Sequence, residues 1–182
     1  GDPTSFLDNY DDLSAKLERT ISLCQEACGG GHKVLVFSSF VTVLKHLQAE
    51  LKNVSIPAHL IYGAVSGEDR LAMAEDFNKK DKVKVMLVSL KAGGTGLNLV
   101  GADIVIHLDP WWNLAAENQA SDRAHRIGQT RPVTVLKLVC KGTIEEKIIE
   151  LQELKRSLTK IIRVADEDGS ALTDEDIKFL LS

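Results

Sequence analysis

Apolar residues along the chain follow two different periods, which divide it into helical and strand-like segments. From Leu13 to Cys28 they recur every three or four positions, which predicts an amphipathic helix that ends at glycines 29–31. Further along, short β-rich runs alternate with stretches of helical spacing. The predicted strands are 34–37, 60–62, 83–88, 104–108 and 133–139, and the predicted helices between them are 41–51, 68–78 and 114–126. Strands that are apolar on both faces and alternate with helices predict an α/β fold, in which helices flank a buried parallel sheet.

Beyond the last predicted strand the pattern is helical again. Thr143 and Glu146 have the spacing of a capping box, and the helix that follows is predicted to reach about Val164. Its apolar stripe comprises Ile148, Leu151, Leu154, Leu158 and Ile161. A second capping signature at Thr173 and Asp176 predicts a short docked helix at the C-terminus. We therefore divide the chain into an N-terminal helix and lead-in (1–31), an α/β lobe (32–142) and a C-terminal helical extension (143–182).

Length and composition narrow the possible functions. The 182 residues are 44% apolar, enough for one sizeable core. The net charge is −4, so a nucleic-acid partner would be bound by a local basic patch and not by a global positive field.

Apolar runs are far shorter than the roughly 20 residues of a membrane span, and three cysteines are too few for a disulfide framework. We expect an intracellular protein with no membrane contact. Cys24 and Cys28 have no second ligand pair at zinc spacing, so we predict core packing and no metal site.

A glycine-rich run, Ser89–Asn98, directly follows the third predicted strand. Its glycines let the backbone approach an anion, and Lys91 supplies a positive charge beside them. The run is therefore a candidate phosphate cradle, and the alternative is a glycine-rich turn that starts a helix. The chain contains no Gly-Lys dipeptide, so it has no P-loop of its own.

The run Gln119–Gln129 is the second candidate. In a continuous helix, Arg123 and Arg126 are three residues apart, so their guanidinium groups emerge on one face and can converge on one phosphoryl group. Gln119 lies one turn before Arg123 on the same side. The alternative is a solvated charged helix face.

The two tryptophans, Trp111 and Trp112, are adjacent on a predicted loop after the fourth strand. Neighbouring loop residues rarely both face one core, so we expect at least one indole to reach a partner. The alternative is that both pack under the edge of the sheet.

Five segments, in this order, resemble helicase motifs IV, IVa, V and VI of superfamily 2, as they occur in the second RecA-like lobe of SWI/SNF-type ATPases. They are Phe37–Phe40, Arg70–Asn78, Lys91–Asn98, Asp109–Asn113 and Gln119–Gln129. The string Asp122–Gln129 is very specific for this family, and the resemblance covers about residues 13–182. The chain departs from the family at Ser39, where Gln is frequent, and at Tyr62-Gly63, where Asp-Gly is frequent.

The resemblance implies a RecA-like parallel sheet sandwiched by helices, and it assigns roles to single residues. Arg123 and Arg126, with Gln119, match the catalytic arginine-finger motif, and Gly96 and Asn98 match nucleotide-binding positions. The DNA-binding positions are matched by Ser38, Arg70, Ser89, Lys91, Ala92 and Gly93 and, at the DNA groove, by Trp112. The implied cofactor is ATP with Mg²⁺, held mainly by a P-loop-bearing N-terminal RecA-like lobe of the same polypeptide.

The implied activity is that of one lobe of a DNA-dependent ATPase that translocates on double-stranded DNA, with protein–DNA complexes as further partners. Without the P-loop lobe, we expect the chain to be inactive. One alternative is a nucleic-acid-binding module without an ATPase role, in which the doubled arginine would be unnecessary. The other is a strand-separating superfamily 2 helicase, for which no pin or wedge hairpin is evident. The short Asp109–Asn113 motif resembles bacterial members, which favours the bacterial cytoplasm or nucleoid over the nucleus.

Overall fold

The computed structural model describes residues 15–92, 97–111, 114–124 and 131–167, with side chains except at 114–116 and 159–167. Helices and strands alternate along these ranges. They are α1 (Ala15–Gly29), β1 (Val34–Ser38), α2 (Val41–Asn53), β2 (Ala58–Ile61), α3 (Gly67–Lys79), β3 (Val85–Ser89), β4 (Ile104–His107), α4 (Leu114–Ser121), β5 (Thr134–Lys137) and α5 (Ile144–Glu167). All five predicted strands are present, with ends displaced by a few residues.

The strands form one sheet in the order β2-β3-β1-β4-β5, and every pair is parallel. β1 lies at the centre, where Val34 is paired with Val85 on one side and with Ile104 on the other. The predicted buried parallel sheet is thereby confirmed. β5 is the exception in burial, because it lies at the edge and most of its residues are exposed.

Alternate residues of the central strands enter two separate apolar clusters, one on each face of the sheet. Val34 and Val36 pack with side chains of α1 and α2, including the fully buried Cys24. Leu35 and Phe37 pack with α3, with α4 and with the loop that follows β3. Burial raises the pKa of the Cys24 thiol to about 12, as suits a packing residue.

The helix ends follow the sequence signals closely. α3 begins after Ser66, whose hydroxyl accepts a hydrogen bond from the Asp69 N–H at 3.1 Å. At the start of α5, the Thr143 hydroxyl accepts from the Glu145 N–H at 3.3 Å, and the Glu146 carboxylate accepts from the Gly142 N–H at 2.7 Å. Both side chains of the predicted capping box therefore cap α5, each one residue away from the standard pairing.

One predicted helix ends earlier than expected. α4 was predicted to continue to Arg126, but it ends at Ser121. The Asp122 N–H still bonds four residues back, to the Asn118 carbonyl at 2.8 Å. The following two bond only three residues back, from Arg123 to the Ala120 carbonyl at 3.2 Å and from Ala124 to the Ser121 carbonyl at 3.0 Å. Arg123 therefore lies outside α4, so the prediction that α4 includes it is wrong.

The predicted apolar stripe of α5 is also only partly buried. Leu151 and Leu154 are 56% and 44% exposed, whereas Gln152 between them is buried. The rotation of α5 about its axis is thus set by an amide and not by these leucines. The capping signature at Thr173 and Asp176 lies outside the described residues.

Within the described ranges, no helix is both long and apolar enough to cross a membrane. No group of three or more histidine, cysteine or acidic side chains in those ranges could hold a metal ion.

Candidate functional site

The carboxyl ends of β1 and β4 are joined by Asp109, the second residue after β4. One Asp109 carboxylate oxygen accepts from the Ser38 hydroxyl at 2.6 Å, and the other accepts from the Ser39 N–H at 2.8 Å. Ser38 is fully buried, and its oxygen also accepts from the Phe40 N–H at 3.0 Å. The structure therefore places this predicted DNA-contacting hydroxyl inside the lobe, where it shapes the loop after β1.

The loop after β3 begins with a turn that is closed by a serine. The Ser89 hydroxyl accepts from the Ala92 N–H at 3.2 Å, and both residues are buried. Lys91 lies between them in sequence and is exposed. Of these three predicted DNA-contacting residues, Lys91 alone presents its side chain to solvent, while Gly93 and Gly96 lie outside the described residues.

Residues 97–101 of the same loop are held by a side chain from the end of α3. The Asn78 amide nitrogen donates to the Asn98 carbonyl at 2.8 Å, and its oxygen accepts from the Gly101 N–H at 2.9 Å. Leu97 and Leu99 are buried in the core, whereas Asn98 between them is exposed. The predicted nucleotide-side Asn98 is thus displayed outward on a fixed backbone.

Arg123 fixes the other side of this loop. Its Nη1 donates to the Leu97 carbonyl at 3.2 Å, and its own carbonyl accepts from the Leu99 N–H at 3.2 Å. The residue is 2% exposed, whereas the predicted companion Gln119 is exposed on α4. The structure thus brings Arg123 to the Asn98 loop as a buried residue, whereas Gln119 is exposed to solvent. Arg126 lies outside the described residues.

Arg70 of α3 reaches back to the end of β2. Its Nη2 donates to the Tyr62 carbonyl at 3.1 Å and to the Gly63 carbonyl at 3.0 Å. This predicted DNA-contacting residue therefore stabilises the turn in which the chain departs from the family pattern.

The loop that carries the tryptophans is tied to α4 by a buried carboxylate. Glu117 is 1% exposed; it accepts from the Trp111 N–H at 3.0 Å and from the Gln152 amide at 2.8 Å, and it forms an ion pair with Lys137. Burial opposes the charged form of Glu117, but Lys137, the Trp111 N–H and Gln152 outweigh it and lower the carboxyl pKa. Trp112 lies outside the described residues.

His107 at the end of β4 is buried beside this carboxylate. It stacks on Phe37 with ring centroids 5.4 Å apart, and its Nε2 lies 2.9 Å from the Ser121 hydroxyl. Among the described residues, its Nδ1 has no hydrogen-bond partner. Burial lowers the pKa of His107 to about 4, so a neutral imidazole links β4 to the end of α4 at physiological pH.

Several residues that build this edge were not predicted from the sequence. They are Asn78, Asp109, Glu117 and Gln152. The sequence did contain a signal for Asp109, because it directly follows the predicted strand 104–108, at the edge where ligands bind in parallel sheets. A second signal was the polar Gln152 four residues after Ile148, on the helix face predicted to be apolar.

Comparison with known proteins shows which protein family the chain resembles. The model of the helicase conserved C-terminal domain matches residues 15–128. An uncharacterized ATP-dependent helicase of Mycoplasma pneumoniae is 40% identical over 165 residues, which are 90% of this chain and 16% of that protein. This chain therefore corresponds to a small part of that relative.

Two solved structures extend the likeness to the fold. The Sulfolobus solfataricus SWI2/SNF2 ATPase C-terminal domain is 35% identical with a TM-score of 0.68, over 88% of this chain and 65% of that one. A Sulfolobus solfataricus SWI2/SNF2 ATPase core in complex with dsDNA is 39% identical with a TM-score of 0.68, over 82% of this chain and 31% of that one. With a family model that covers more than half of its residues and a fold that these structures share, the chain belongs to the helicase conserved C-terminal domain family, as a RecA-like lobe of the SWI2/SNF2 type.

Proposed function

We propose that this lobe completes an ATP site with a P-loop-bearing lobe of the same polypeptide, and that it forms one part of a double-stranded DNA track in a translocase. The observation that carries the proposal is the arrangement of the loops after β1, β3 and β4. Buried polar side chains hold all three at the carboxyl edge of the sheet, where ligands of such sheets bind. The similar ATPase core in complex with dsDNA supports the DNA part of the proposal.

The nucleotide side of this edge is the loop that carries Asn98. Arg123 and Asn78 fix its backbone from two sides, so the exposed Asn98 side chain can approach a nucleotide with little loss of conformational freedom. Bound ATP with Mg²⁺ supplies the γ-phosphoryl group for transfer to water. We assign the phosphate contact to Arg126 and the positioning of the loop to Arg123, whose guanidinium is buried against the Leu97 carbonyl.

The DNA side is the turn at the start of the same loop. Lys91 is exposed there and can neutralise a DNA phosphate, while buried Ser89 and Ala92 set the turn that presents it. Because one continuous loop carries both Lys91 and Asn98, a movement of the nucleotide side is transmitted to the DNA side. Repeated closure and opening of the cleft between the lobes would thus move the enzyme along DNA without requiring strand separation.

The test uses the intact two-lobe protein with three substitutions. Arg126→Ala should reduce DNA-stimulated ATP turnover by roughly 10³-fold, as expected for an arginine finger, and leave DNA affinity and the melting temperature almost unchanged. Arg126→Lys should not restore turnover, because an ammonium cannot make the forked contact to phosphate oxygens. Arg156→Ala, which removes an exposed arginine of α5, is the matched control.

A different pattern would refute the assignment. If Arg126→Ala lowered the melting temperature but turnover measured well below melting stayed at the wild-type value, Arg126 would be a structural residue. The second test measures phosphate release by chain 1–182 alone. If release persists after the chain is purified a second time, the ATP site does not need a second lobe.

A further inference from the structure

Four elements meet in one buried polar cluster at the C-terminal side of the sheet. The cluster consists of Glu117 from α4, Lys137 from β5, Gln152 from α5 and the main chain of Trp111. Glu117 is 1% exposed and Gln152 is 3% exposed. Polar groups buried to this extent are costly unless their hydrogen bonds are made, so the cluster holds its four elements in one arrangement.

Gln152 uses both ends of its amide in this cluster. Its nitrogen donates to the Trp111 carbonyl and, at 2.8 Å, to Glu117, while its oxygen accepts from Lys137 at 3.2 Å. Among the described side chains of α5, Gln152 alone is buried, although Leu151 beside it is 56% exposed. The half-buried Ile148 and Ile149 lie on the same face of α5 as Gln152, and the hydrogen bonds of Gln152 fix this face against the lobe while Leu151 stays exposed.

Both main-chain polar groups of Trp111 are consequently hydrogen-bonded to this cluster. Its N–H donates to Glu117 and its carbonyl accepts from Gln152. These two bonds fix the main chain of Trp111, which is followed in sequence by Trp112, the predicted contact to the DNA groove.

We propose that Gln152 is a positioning residue that couples α5 to the tryptophan loop, so that displacement of α5 releases the main chain of Trp111 from α4 and α5. The coupling itself depends only on the cluster. Its consequence for DNA rests on the proposed function, in which Trp112 contacts the DNA groove.

The chain contains an intrinsic reporter for this test, because Trp111 and Trp112 are its only tryptophans. The variants are Gln152→Met, which keeps the volume and removes the amide, and Gln152→Asn, which keeps an amide but shortens its reach by one methylene. The control is Glu153→Met, at the neighbouring exposed position of the same helix. Each is made in chain 1–182, and acrylamide quenching of tryptophan emission is measured together with urea unfolding.

We expect Gln152→Met to raise the quenching constant by roughly twofold at urea concentrations where the chain is still folded, because the loop opens locally. Gln152→Asn should change the constant in the same direction by less, and it serves as the test if Gln152→Met does not fold. Glu153→Met should match the wild type. Quenching of both Gln152 variants at the control value would overturn the proposal.

A second readout separates this proposal from the proposed function. In the intact two-lobe protein, Gln152→Met should raise the DNA concentration needed for half-maximal ATP turnover several-fold, with turnover at saturating DNA within about twofold of wild type. A merely structural role would lower turnover at saturating DNA in proportion to the folded fraction and leave the half-maximal DNA concentration unchanged, which would contradict the proposal. Increased quenching with unchanged DNA dependence would establish the coupling but refute the assignment of the tryptophan loop to DNA.

Discussion

His107 makes the stability of this lobe depend on pH above the range in which carboxylates titrate. Burial lowers its pKa from 6.5 to about 4, and its buried Nδ1 has no acceptor among the described residues for the proton that the charged ring would carry. The unfolded chain therefore binds this proton more readily than the folded chain does. Stability is fully present above pH 6.5 and is lost as the pH falls toward 4.

The size of the effect follows from the two pKa values. A shift from 6.5 to about 4 corresponds to about 3 kcal/mol once the pH lies below both values. Between about pH 7 and pH 5.5 the same linkage gives a loss of about 1 kcal/mol. Lowered carboxyl pKa values, such as that of Glu117, contribute their loss at more acidic pH, outside this window. Comparison of the wild type with a His107 variant then separates His107 from the other histidines.

The assay is urea unfolding of chain 1–182 at about pH 7 and about pH 5.5, followed by tryptophan emission and by circular dichroism. His107→Gln keeps a side-chain donor and cannot be protonated, so the difference in unfolding free energy between the two pH values should shrink by about 1 kcal/mol. His46→Gln, which removes an exposed histidine of α2, is the control. An unchanged pH dependence in His107→Gln would refute the assignment of a buried neutral imidazole.

Three further predictions concern the loops at the same edge. Asn78→Ala removes both bonds to residues 97–101 and should lower the unfolding free energy by roughly 1–3 kcal/mol, with faster amide hydrogen exchange in that loop. Gly101→Ala should also destabilise the lobe, by about 1–3 kcal/mol in urea unfolding, because a Cβ there would lie 3.0 Å from the Asn78 Cα. Gly63→Ala is the control and should be neutral, because a Cβ at that position would have no atom within 4 Å. Lys91→Ala should reduce the slope of log affinity for duplex DNA against log salt by about one unit, and the exposed Lys52→Ala, at the far end of α2, should not.

The fold could be predicted because its signals are local. Strands β1 and β3 are apolar on both faces, and the helices between strands show a 3.6-residue period, so element type and the parallel sheet follow from neighbouring residues alone. The cap of α3 at Ser66 and the capping residues of α5 lie within four residues of their partners. Short-range hydrogen bonds of this kind are legible in a sequence.

The two errors arose where distant residues decide the local structure. α4 ends early where Arg123 bonds to the Leu97 carbonyl, 26 residues away. The rotation of α5 is set by Gln152, whose partners Glu117 and Trp111 lie 35 and 41 residues away. Helical periodicity cannot register such bonds, so it predicted a longer α4 and a buried Leu151. The roles of Arg123 and Asn98 were inferred from the resemblance to the family, and they stay predictions.

The way the functional loops are attached has a consequence for how the lobe can move. Asp109 holds its loop to the end of β1, Asn78 holds one to α3 and Glu117 holds one to α4, each by two or three hydrogen bonds. The strands beneath are instead held by extensive apolar burial on both faces. Releasing one loop therefore costs a few hydrogen bonds, each worth about 1–3 kcal/mol when a buried partner is left unsatisfied, whereas moving a strand would disrupt the core. Energies of that size lie within what ligand binding supplies, since each 1.4 kcal/mol corresponds to roughly a tenfold change in an equilibrium constant. On the proposed function, we therefore expect nucleotide and DNA to shift the loops of this lobe between discrete positions while the parallel sheet stays rigid.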